Sequence, residues 1–342
     1  MTAVPGGHDR RWMLTVSDLE EDFALARYNT DGSLDPTFDL DGKVTSDFAG
    51  GNDRARAVVI QADGKIVVAG VAFSSACLPC NGPPSDNFGL ARYNPDGSHD
   101  LTFGFGGRQV TDFDVAGPDE ARGVAIQADG KIVAAGVAIC DPCVLPVTPV
   151  PHDFALARYT ADGSLDPSFD GDGKVKTDFG GPDEANAVAI QREGEIVAAG
   201  SATHDSGALL FALARYKGDG ALDPTFDGDG KVTTMVASDD EARGVAIQRD
   251  GKIVAVGLAC KLCIAGPDFG LARYNTDGSL DPIFGGGDGI VLTDFGGFDH
   301  ANAVALQMDG KIVAAGFSNA DFALARYRVC RVSSRRSSIP CR

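Results

Sequence analysis

The sequence predicts an all-β protein built as a tandem array, and three observations support this prediction. A word close to Asp-Phe-Ala-Leu-Ala-Arg-Tyr recurs six times in the 342 residues, and each of the 6 tyrosines closes one copy. Asp-Gly pairs, which are typical of tight turns, separate short apolar runs. No sustained apolar pattern of helical period is present. The repeat length of roughly sixty residues is slightly above that of propeller blades and well above that of solenoid coils.

Each repeat is predicted to contain four strands, here called a, b, c and d. In the second complete copy, strand a is Glu120 to Gln127 and strand b is Lys131 to Ala135. Asp129-Gly130 between them predicts a type I′ turn with positive φ at both residues. Strand c is Phe154 to Tyr159, and strand d is Lys174 to Phe179.

The apolar pattern predicts how these sheets pack. With a two-residue turn, Ile126 is expected opposite Val133 and Val124 opposite Ala135, which makes both faces of the hairpin apolar. In strand c, large Phe and Leu side chains alternate with alanines, so the second face allows close approach of a neighbouring sheet. A sheet that is apolar on both faces must be covered twice. We therefore predict a β-propeller of four-stranded antiparallel blades.

The order of the repeats predicts the ends of the array. The chain begins with strands c and d (Phe23 to Tyr28 and Lys43 to Phe48), continues with four complete blades, and finishes with strands a, b and c from Asn302 to Tyr327. This is five repeats plus an extra strand. Two arrangements remain open: a five-bladed ring that the first strand d closes, with one strand displaced, or part of a six-bladed ring.

Three segments follow from this assignment. Residues 22–327 form a single propeller domain. Residues 1–21 form an N-terminal segment, in which Trp12 to Val16 is compatible with a degenerate strand b. Residues 328–342 are rich in arginine and serine, have no repeat pattern, and are predicted to be a disordered tail.

The repeated phrases resemble a known family. ARYNTDGSLDPTFD and DGKIVAAG, together with their variants, are similar to the bacterial delta-60 repeat, a family of predicted β-propellers, over roughly Asp22 to Tyr327. The strand order also resembles a WD-type blade without its Trp-Asp dipeptide. The resemblance implies a propeller fold and a secreted or cell-surface location, and it supplies no catalytic residues.

Charge and hydropathy limit the partners. A formal net charge of -18 and a pI near 4.5 argue against nucleic acid and anionic membranes. No apolar run is long enough to span a bilayer, and residues 1–21 lack the apolar segment of a secretory signal. We expect an acidic monomer, without membrane insertion, that uses a propeller face to bind a protein or a carbohydrate.

The cysteines form a second pattern. Three Cys-x-x-Cys pairs fall in the loops between strands b and c, which places them on one face of the propeller. Three readings remain open: disulfides in an oxidising compartment, unremarkable thiols, and metal binding or redox exchange. The disulfide candidates are Cys77, Cys80, Cys140, Cys143, Cys260, Cys263, Cys330 and Cys341.

The loops between strands c and d carry recurring aspartates that are candidate ligands for Ca²⁺, the one cofactor that the sequence suggests. The match to an EF-hand is poor, because the first glycine is fourth from Asn29 rather than sixth. Plain turn chemistry is the competing explanation. The candidates are Asp31, Asp35, Asp39, Asp41, Asp162, Asp166, Asp170, Asp172, Asp219, Asp223, Asp227 and Asp229. The arginine of each strand c, by contrast, is expected to meet a carboxylate.

No catalytic motif stands out, and the five histidines show no metal-ligand spacing. The leading hypothesis is therefore a non-enzymatic scaffold or interaction module of a secreted or cell-surface bacterial protein, with no catalytic residues. One alternative is a calcium-stabilised adhesion module. The other is a propeller enzyme, a lyase or hydrolase, with its site at the channel mouth. That alternative requires polar residues that converge on the axis, and the sequence suggests few of them.

Overall fold

The computed structural model describes residues 21–74, 85–113, 117–139, 152–260 and 266–328, and every regular element within these ranges is a β-strand. No helix that could cross a bilayer occurs in this part of the chain. The strands group into six sheets, called I to VI here. This confirms the predicted all-β class.

Sheet I contains β1 (Phe23–Ala26) and β2 (Lys43–Ser46). Sheet II contains β3 (Arg54–Ile60), β4 (Ile66–Ser74), β5 (Ser85–Tyr93) and β6 (Arg108–Thr111). Sheet III contains β7 (Asp119–Ile126), β8 (Ile132–Ile139), β9 (His152–Tyr159) and β10 (Lys174–Thr177). Sheet IV contains β11 (Asp183–Ile190), β12 (Ile196–Thr203), β13 (Leu209–Tyr216) and β14 (Lys231–Thr234). Sheet V contains β15 (Asp240–Ile247), β16 (Ile253–Ala259), β17 (Asp268–Tyr274) and β18 (Ile290–Thr293). Sheet VI contains β19 (Asp299–Leu306), β20 (Ile312–Ser318) and β21 (Asp321–Tyr327).

Sheets II to V are antiparallel meanders in the order a, b, c, d, as predicted. Sheet I holds only strands c and d, and sheet VI only strands a, b and c. Within the described residues β2 pairs with β1 alone, and the outer edge of β21 has no partner strand. Phe322 is fully exposed there and Leu324 is 67% exposed. The closure in which β2 completes the last sheet is therefore not formed.

The hairpin between strands a and b differs from the prediction by one residue. The N–H of Gln127 donates to the carbonyl of Lys131 at 2.9 Å, so the loop has three residues rather than two. Of these only Gly130 has positive φ, at 86°. A type I turn followed by a left-handed glycine makes such a loop. Ile126 consequently lies opposite Ile132, and Val124 opposite Ala134. The predicted type I′ turn and its register are wrong.

The predicted stacking of apolar sheets is present. Phe154 and Leu156 of sheet III pack in one fully buried cluster with Ala185, Ile196 and Ala198 of sheet IV. The alanines present little bulk, so the large side chains of the preceding sheet fit between the two backbones. The same arrangement recurs between the other neighbouring sheets. At each contact between neighbouring sheets, called a joint here, the face with large side chains on one sheet therefore packs against the alanine-rich face of the next.

Every strand a contains a β-bulge at the same position. In sheet III, Ala121 pairs with Gly136 and Gly123 with Ala135, which leaves Arg122 as the extra residue. A Cβ atom on Gly136 would lie 1.8 Å from the carbonyl oxygen of Glu120. The bulge therefore requires glycine in strand b. The equivalent glycines are Gly70, Gly200, Gly257 and Gly316, and the extra residues are Arg56, Asn186, Arg243 and Asn302.

Candidate functional site

The bulges bring polar side chains together along the inner strands. Strands β3, β7, β11, β15 and β19 lie side by side, and each carries two polar residues around its bulge. A bulge bends its strand and redirects a side chain, and such bulges are common beside active sites. We call this set the polar belt. It consists of Arg54, Arg56, Glu120, Arg122, Glu184, Asn186, Glu241, Arg243, His300 and Asn302.

Arg122 is the centre of the belt. Its Nε donates to Glu120 Oε2 at 3.1 Å, and its Nη1 donates to Glu184 and to Asn186 Oδ1, the latter at 2.9 Å. Burial alone would lower the pKa of Arg122, but the two carboxylates raise it. On the other side, Arg56 lies 2.7 Å from Glu120 Oε1. The guanidinium and carboxylate groups of three consecutive sheets are thus linked.

Glu184 joins this arginine to a histidine from the preceding sheet. His152 Nε2 lies 3.4 Å from Glu184 Oε1. The hydrogen bond from His152 and the charge of Arg122 lower the pKa of Glu184 to about 2. Glu184 therefore remains ionised at any ordinary pH. A carboxylate that holds an imidazole in one orientation is the arrangement that prepares a histidine for proton transfer.

A second histidine lies at the end of the belt. His300 Nδ1 is 3.0 Å from Arg243 Nη1. A guanidinium can only donate, so Nδ1 accepts and the proton of the neutral ring is on Nε2. Burial and the charge of Arg243 lower the pKa of His300. Arg243 also contacts Glu241 at 3.0 Å and Asn302 at 3.1 Å.

The belt corrects the expectation that few polar residues converge on the inner strands. The signal was present in the sequence as Glu-Ala-Arg, Glu-Ala-Asn and His-Ala-Asn, within otherwise apolar strands. Because their periodicity is that of an ordinary strand face, the sequence alone does not distinguish them as a site. The inter-sheet contacts that join them depend on neighbours about sixty residues apart. Chemically, the belt can bind an anion through arginine and move a proton through histidine.

In the structure, the candidate calcium ligands of the loops between strands c and d take part in the turns of those loops. Asp35, Asp166 and Asp223 each accept a hydrogen bond from the strand c arginine eight residues earlier, at 2.8, 2.8 and 2.9 Å. This confirms the expected arginine–carboxylate pairs. Asp31, Asp162 and Asp219 accept backbone N–H groups two residues ahead, and so do Asp41, Asp172 and Asp229. Asp39, Asp170 and Asp227 have positive φ. Their calcium role stays a prediction.

Other aspartates come close enough to hold a metal ion. Three trios have carboxylate oxygens within 4.8 Å of one another, namely Asp22, Asp47 and Asp53; Asp153, Asp178 and Asp183; and Asp268, Asp294 and Asp299. No sequence motif marks these trios, because each combines residues from the ends of strands in two neighbouring sheets.

Cys260 is disulfide-bonded and buried. The other disulfide candidates, Cys77, Cys80, Cys140, Cys143, Cys263, Cys330 and Cys341, lie outside the described residues. Their pairing stays a prediction.

Comparison with known proteins supports the architecture. A family model described as "Domain of unknown function (DUF5122) beta-propeller" matches residues 15–38, 61–103, 151–169, 191–226 and 248–284. No curated protein matches the chain. A polysaccharide lyase of family PL25, an ulvan lyase bound to -[GlcA(1-4)Rha3S]-, is similar in structure, with a TM-score of 0.50 and 11% identity over 85% of this chain and 68% of that chain.

Two further solved structures are similar over most of this chain. A sialidase of Trypanosoma rangeli has a TM-score of 0.45 and 9% identity over 88% of this chain and 48% of that one. An endo-arabinase of Bacteroides thetaiotaomicron has a TM-score of 0.39 and 10% identity over 82% and 94%.

The ulvan lyase is an enzyme, which contradicts the leading hypothesis of a non-enzymatic scaffold and favours its propeller-enzyme alternative, taken up as a proposal below. At 11% identity the likeness itself shows the fold alone. The fold is established independently by the stacked four-stranded sheets and by the matched segments. The chain is therefore a β-propeller repeat protein that is similar to the DUF5122 β-propeller domain over those segments.

Proposed function

We propose that the protein is a propeller enzyme that cleaves an anionic polysaccharide by elimination, with the polar belt and the adjoining His152 as its site. The observation that carries this proposal is the chain of contacts from His152 through Glu184 to Arg122. It combines an oriented imidazole with a guanidinium across two neighbouring sheets. Binding and proton transfer would then occur at the same place.

The charge distribution supports an anionic substrate. The chain has a formal net charge of -18, so most of its surface repels a polyanion. The belt has a different balance, because its arginines match its carboxylates: Arg54, Arg56, Arg122 and Arg243 lie among Glu120, Glu184, Glu241 and the Glu21 that pairs with Arg54. A guanidinium can bind a uronate carboxylate or a sulfate through two parallel hydrogen bonds. Arg122 and Arg243 are each about a quarter exposed, at 24% and 28%, so a ligand can reach them. Both already bond to carboxylates of the belt, so the ligand would use the remaining guanidinium N–H groups or displace these carboxylates.

The ionisation of the belt favours elimination over hydrolysis. A glycosidase needs one carboxyl group with a raised pKa that protonates the leaving oxygen. Glu184 has the opposite property, because its pKa is lowered to about 2. A histidine held by an ionised carboxylate can instead act as a base in its neutral form. With the proton of that form on Nε2 toward Glu184, Nδ1 of His152 is the nitrogen that would accept a proton.

The proposed step balances without water. His152 removes the proton from the carbon next to the uronate carboxylate, and that electron pair forms a carbon–carbon double bond. The glycosidic C–O bond on the adjacent carbon breaks, and the leaving oxygen takes up the proton that His152 has removed. Arg122 binds the carboxylate and stabilises the charge that develops on it in the transition state. The ulvan lyase that this propeller resembles adds support for a uronate-containing substrate.

The test is incubation of the full chain with ulvan and with other uronate polysaccharides. We expect the ultraviolet absorbance of an unsaturated uronate to rise, and we expect His152→Ala and Arg122→Ala each to lower the rate by about 100-fold or more. His204→Ala is the matched control, since His204 lies in a loop and contacts Ser206 of the same loop. Its rate should be unchanged.

Thermal melts of all variants show whether a variant has lost activity because it no longer folds. Absence of unsaturated product from every uronate polysaccharide would overturn the proposal. New reducing ends without unsaturation would show hydrolysis, and that result would overturn the elimination step.

We further propose that the repeats are of the delta-60 type, which the phrases ARYNTDGSLDPTFD and DGKIVAAG support. We also propose that the protein acts outside the cell, where polysaccharides and oxidising conditions occur. The disulfide at Cys260 supports the second statement.

A further inference from the structure

The acidic trios lie where consecutive sheets meet. Asp153 is on β9, Asp178 directly follows β10, and Asp183 begins β11, so the trio joins sheets III and IV. Asp268, Asp294 and Asp299 occupy the equivalent positions between sheets V and VI. Neither trio contains a residue from the loops between strands c and d. Their chemistry is therefore separate from the calcium candidates of those loops.

In each trio the aspartate that begins strand a is fully buried and only partly satisfied. Asp183 and Asp299 are 0% exposed. One carboxylate oxygen, Oδ2, accepts the N–H of Phe179 or Phe295, respectively. The other oxygen, Oδ1, accepts no hydrogen bond of normal geometry in either residue, although the N–H of Thr203 lies near enough to the Asp183 carboxylate to oppose the rise in its pKa. A buried carboxylate oxygen without a partner carries a desolvation penalty, which a bound cation would remove.

A neighbouring joint provides an internal comparison. Between sheets IV and V the positions of the first two aspartates are taken by Leu210 and Met235, and only Asp240 remains. Both oxygens of Asp240 accept backbone N–H groups, from Val236 and Ala237, at 2.8 to 3.0 Å. At this joint the buried carboxylate is thus satisfied by the backbone. At the joints between sheets III and IV and between sheets V and VI, one oxygen is left over.

We propose that Asp153, Asp178 and Asp183 bind one Ca²⁺ ion, and that Asp268, Asp294 and Asp299 bind another. Calcium takes oxygen ligands at about 2.3–2.6 Å, so ligand atoms on opposite sides of the ion are about 5 Å apart. Oxygens within 4.8 Å of one another fit that limit. Three carboxylates in an adaptable arrangement suit calcium better than magnesium, which demands octahedral geometry and keeps several waters. Each ion would tie strands c and d of one sheet to strand a of the next.

The third trio is excluded from the proposal because Asp53 is already satisfied. Its Oδ2 accepts the N–H of Phe48 at 2.8 Å, and its Oδ1 accepts the N–H of Phe73 at 2.7 Å.

The test uses the metal-free full chain, with calcium binding measured by titration calorimetry and stability by thermal melts. Asp178 and Asp294 are exposed, so Asp178→Asn and Asp294→Asn are not expected to disturb the fold. Each variant should lose one bound calcium ion relative to the parent chain, and the double variant should lose two. The rise in Tm on addition of calcium should shrink in each single variant and be smallest in the double variant.

The matched control is Asp172→Asn, an exposed aspartate in the loop between strands c and d of sheet III. It should leave calcium binding unchanged. Loss of a calcium ion in this control, with binding retained in Asp178→Asn, would overturn the assignment in favour of the loop. Absence of both binding and a Tm shift in the parent chain would overturn the proposal outright. Magnesium at the same concentration should raise the Tm less, and an equal rise would overturn the choice of calcium.

Discussion

The hydroxyl of Tyr159 donates a hydrogen bond of 2.8 Å to Thr111 Oγ1, across the joint between sheets III and II. Tyr216 with Thr177 and Tyr274 with Thr234 repeat this contact at the next two joints, at 2.8 and 2.9 Å. Burial raises the pKa of Tyr159, so its hydroxyl remains protonated and able to donate. In these three copies the tyrosine that closes the repeated word is therefore a link to the preceding sheet.

Tyr159→Phe should lower the free energy of unfolding by about 1–2 kcal/mol, because it leaves the buried Thr111 hydroxyl without its partner. Urea denaturation measures this change. Tyr28→Phe is the matched control, since Tyr28 is 63% exposed, and it should change stability by less than about 0.5 kcal/mol. Equal effects of the two substitutions would contradict the role of the joint hydrogen bond.

Gly136→Ala should destabilise the protein by roughly 2–3 kcal/mol, because the added Cβ would meet the backbone of the bulge 1.8 Å away. The backbone of strand a would have to shift, and the side chain of Arg122 would shift with it. A lower Tm and a lower rate on the proposed substrate should therefore appear together. Gly218→Ala is the control, since no heavy atom lies within 4 Å of its added Cβ. Normal stability of Gly136→Ala would show that the bulge is dispensable.

Gly130→Val, in the hairpin between β7 and β8, should lower the free energy of unfolding by about 1–2 kcal/mol. Nothing lies within 4 Å of the added Cβ, so the loss arises from the positive φ of 86° and not from a clash. Gly130→Asn should be milder, because asparagine tolerates this backbone region better than valine. Chemical denaturation of both variants checks the order. A valine variant as stable as the asparagine variant would contradict the turn assignment.

The pH dependence of stability should reveal the raised pKa of the Asp183 carboxyl group. Burial, together with the nearby Asp178 and Asp153, raises its pKa from 3.8 to about 6 in the folded protein. Between these values the folded state binds a proton that the unfolded state has lost, so stability from this group falls as pH rises. In the presence of a chelator the parent chain should lose on the order of 2 kcal/mol over this window relative to Asp183→Asn.

Denaturation of both proteins from about pH 4 to pH 7 measures this difference. Added calcium should restore part of the loss in the parent chain alone. Parallel curves for the two proteins would show that Asp183 is not perturbed by burial.

Much of the architecture was predictable because it depends on local pattern. The alternation in Phe154-Ala155-Leu156-Ala157 indicates which face of strand c is bulky. The recurrence of an arginine at one position of strand c predicted that Arg158 meets a carboxylate, and the structure identifies it as Asp166. The order of four strands in each sheet follows from short apolar runs between turns. These features need no information from distant parts of the chain.

The site was not predictable in the same way. In the sequence, Glu184 resembles an ordinary strand residue. Only the structure shows that it contacts His152 and Arg122 of the preceding sheet. The length of the hairpin loop and the bulge opposite Gly136 also change the register, and both depend on backbone geometry that the composition of the strands does not specify.

By itself the sequence therefore determined the repeat, the strand order and the two-sided burial of each sheet, because these follow from turn chemistry and hydrophobic alternation. Only the tertiary structure decided the register, the polar belt and the acidic trios. Those features arise where the inner strand of one sheet meets side chains of its neighbour, and such contacts join residues that are far apart in the chain.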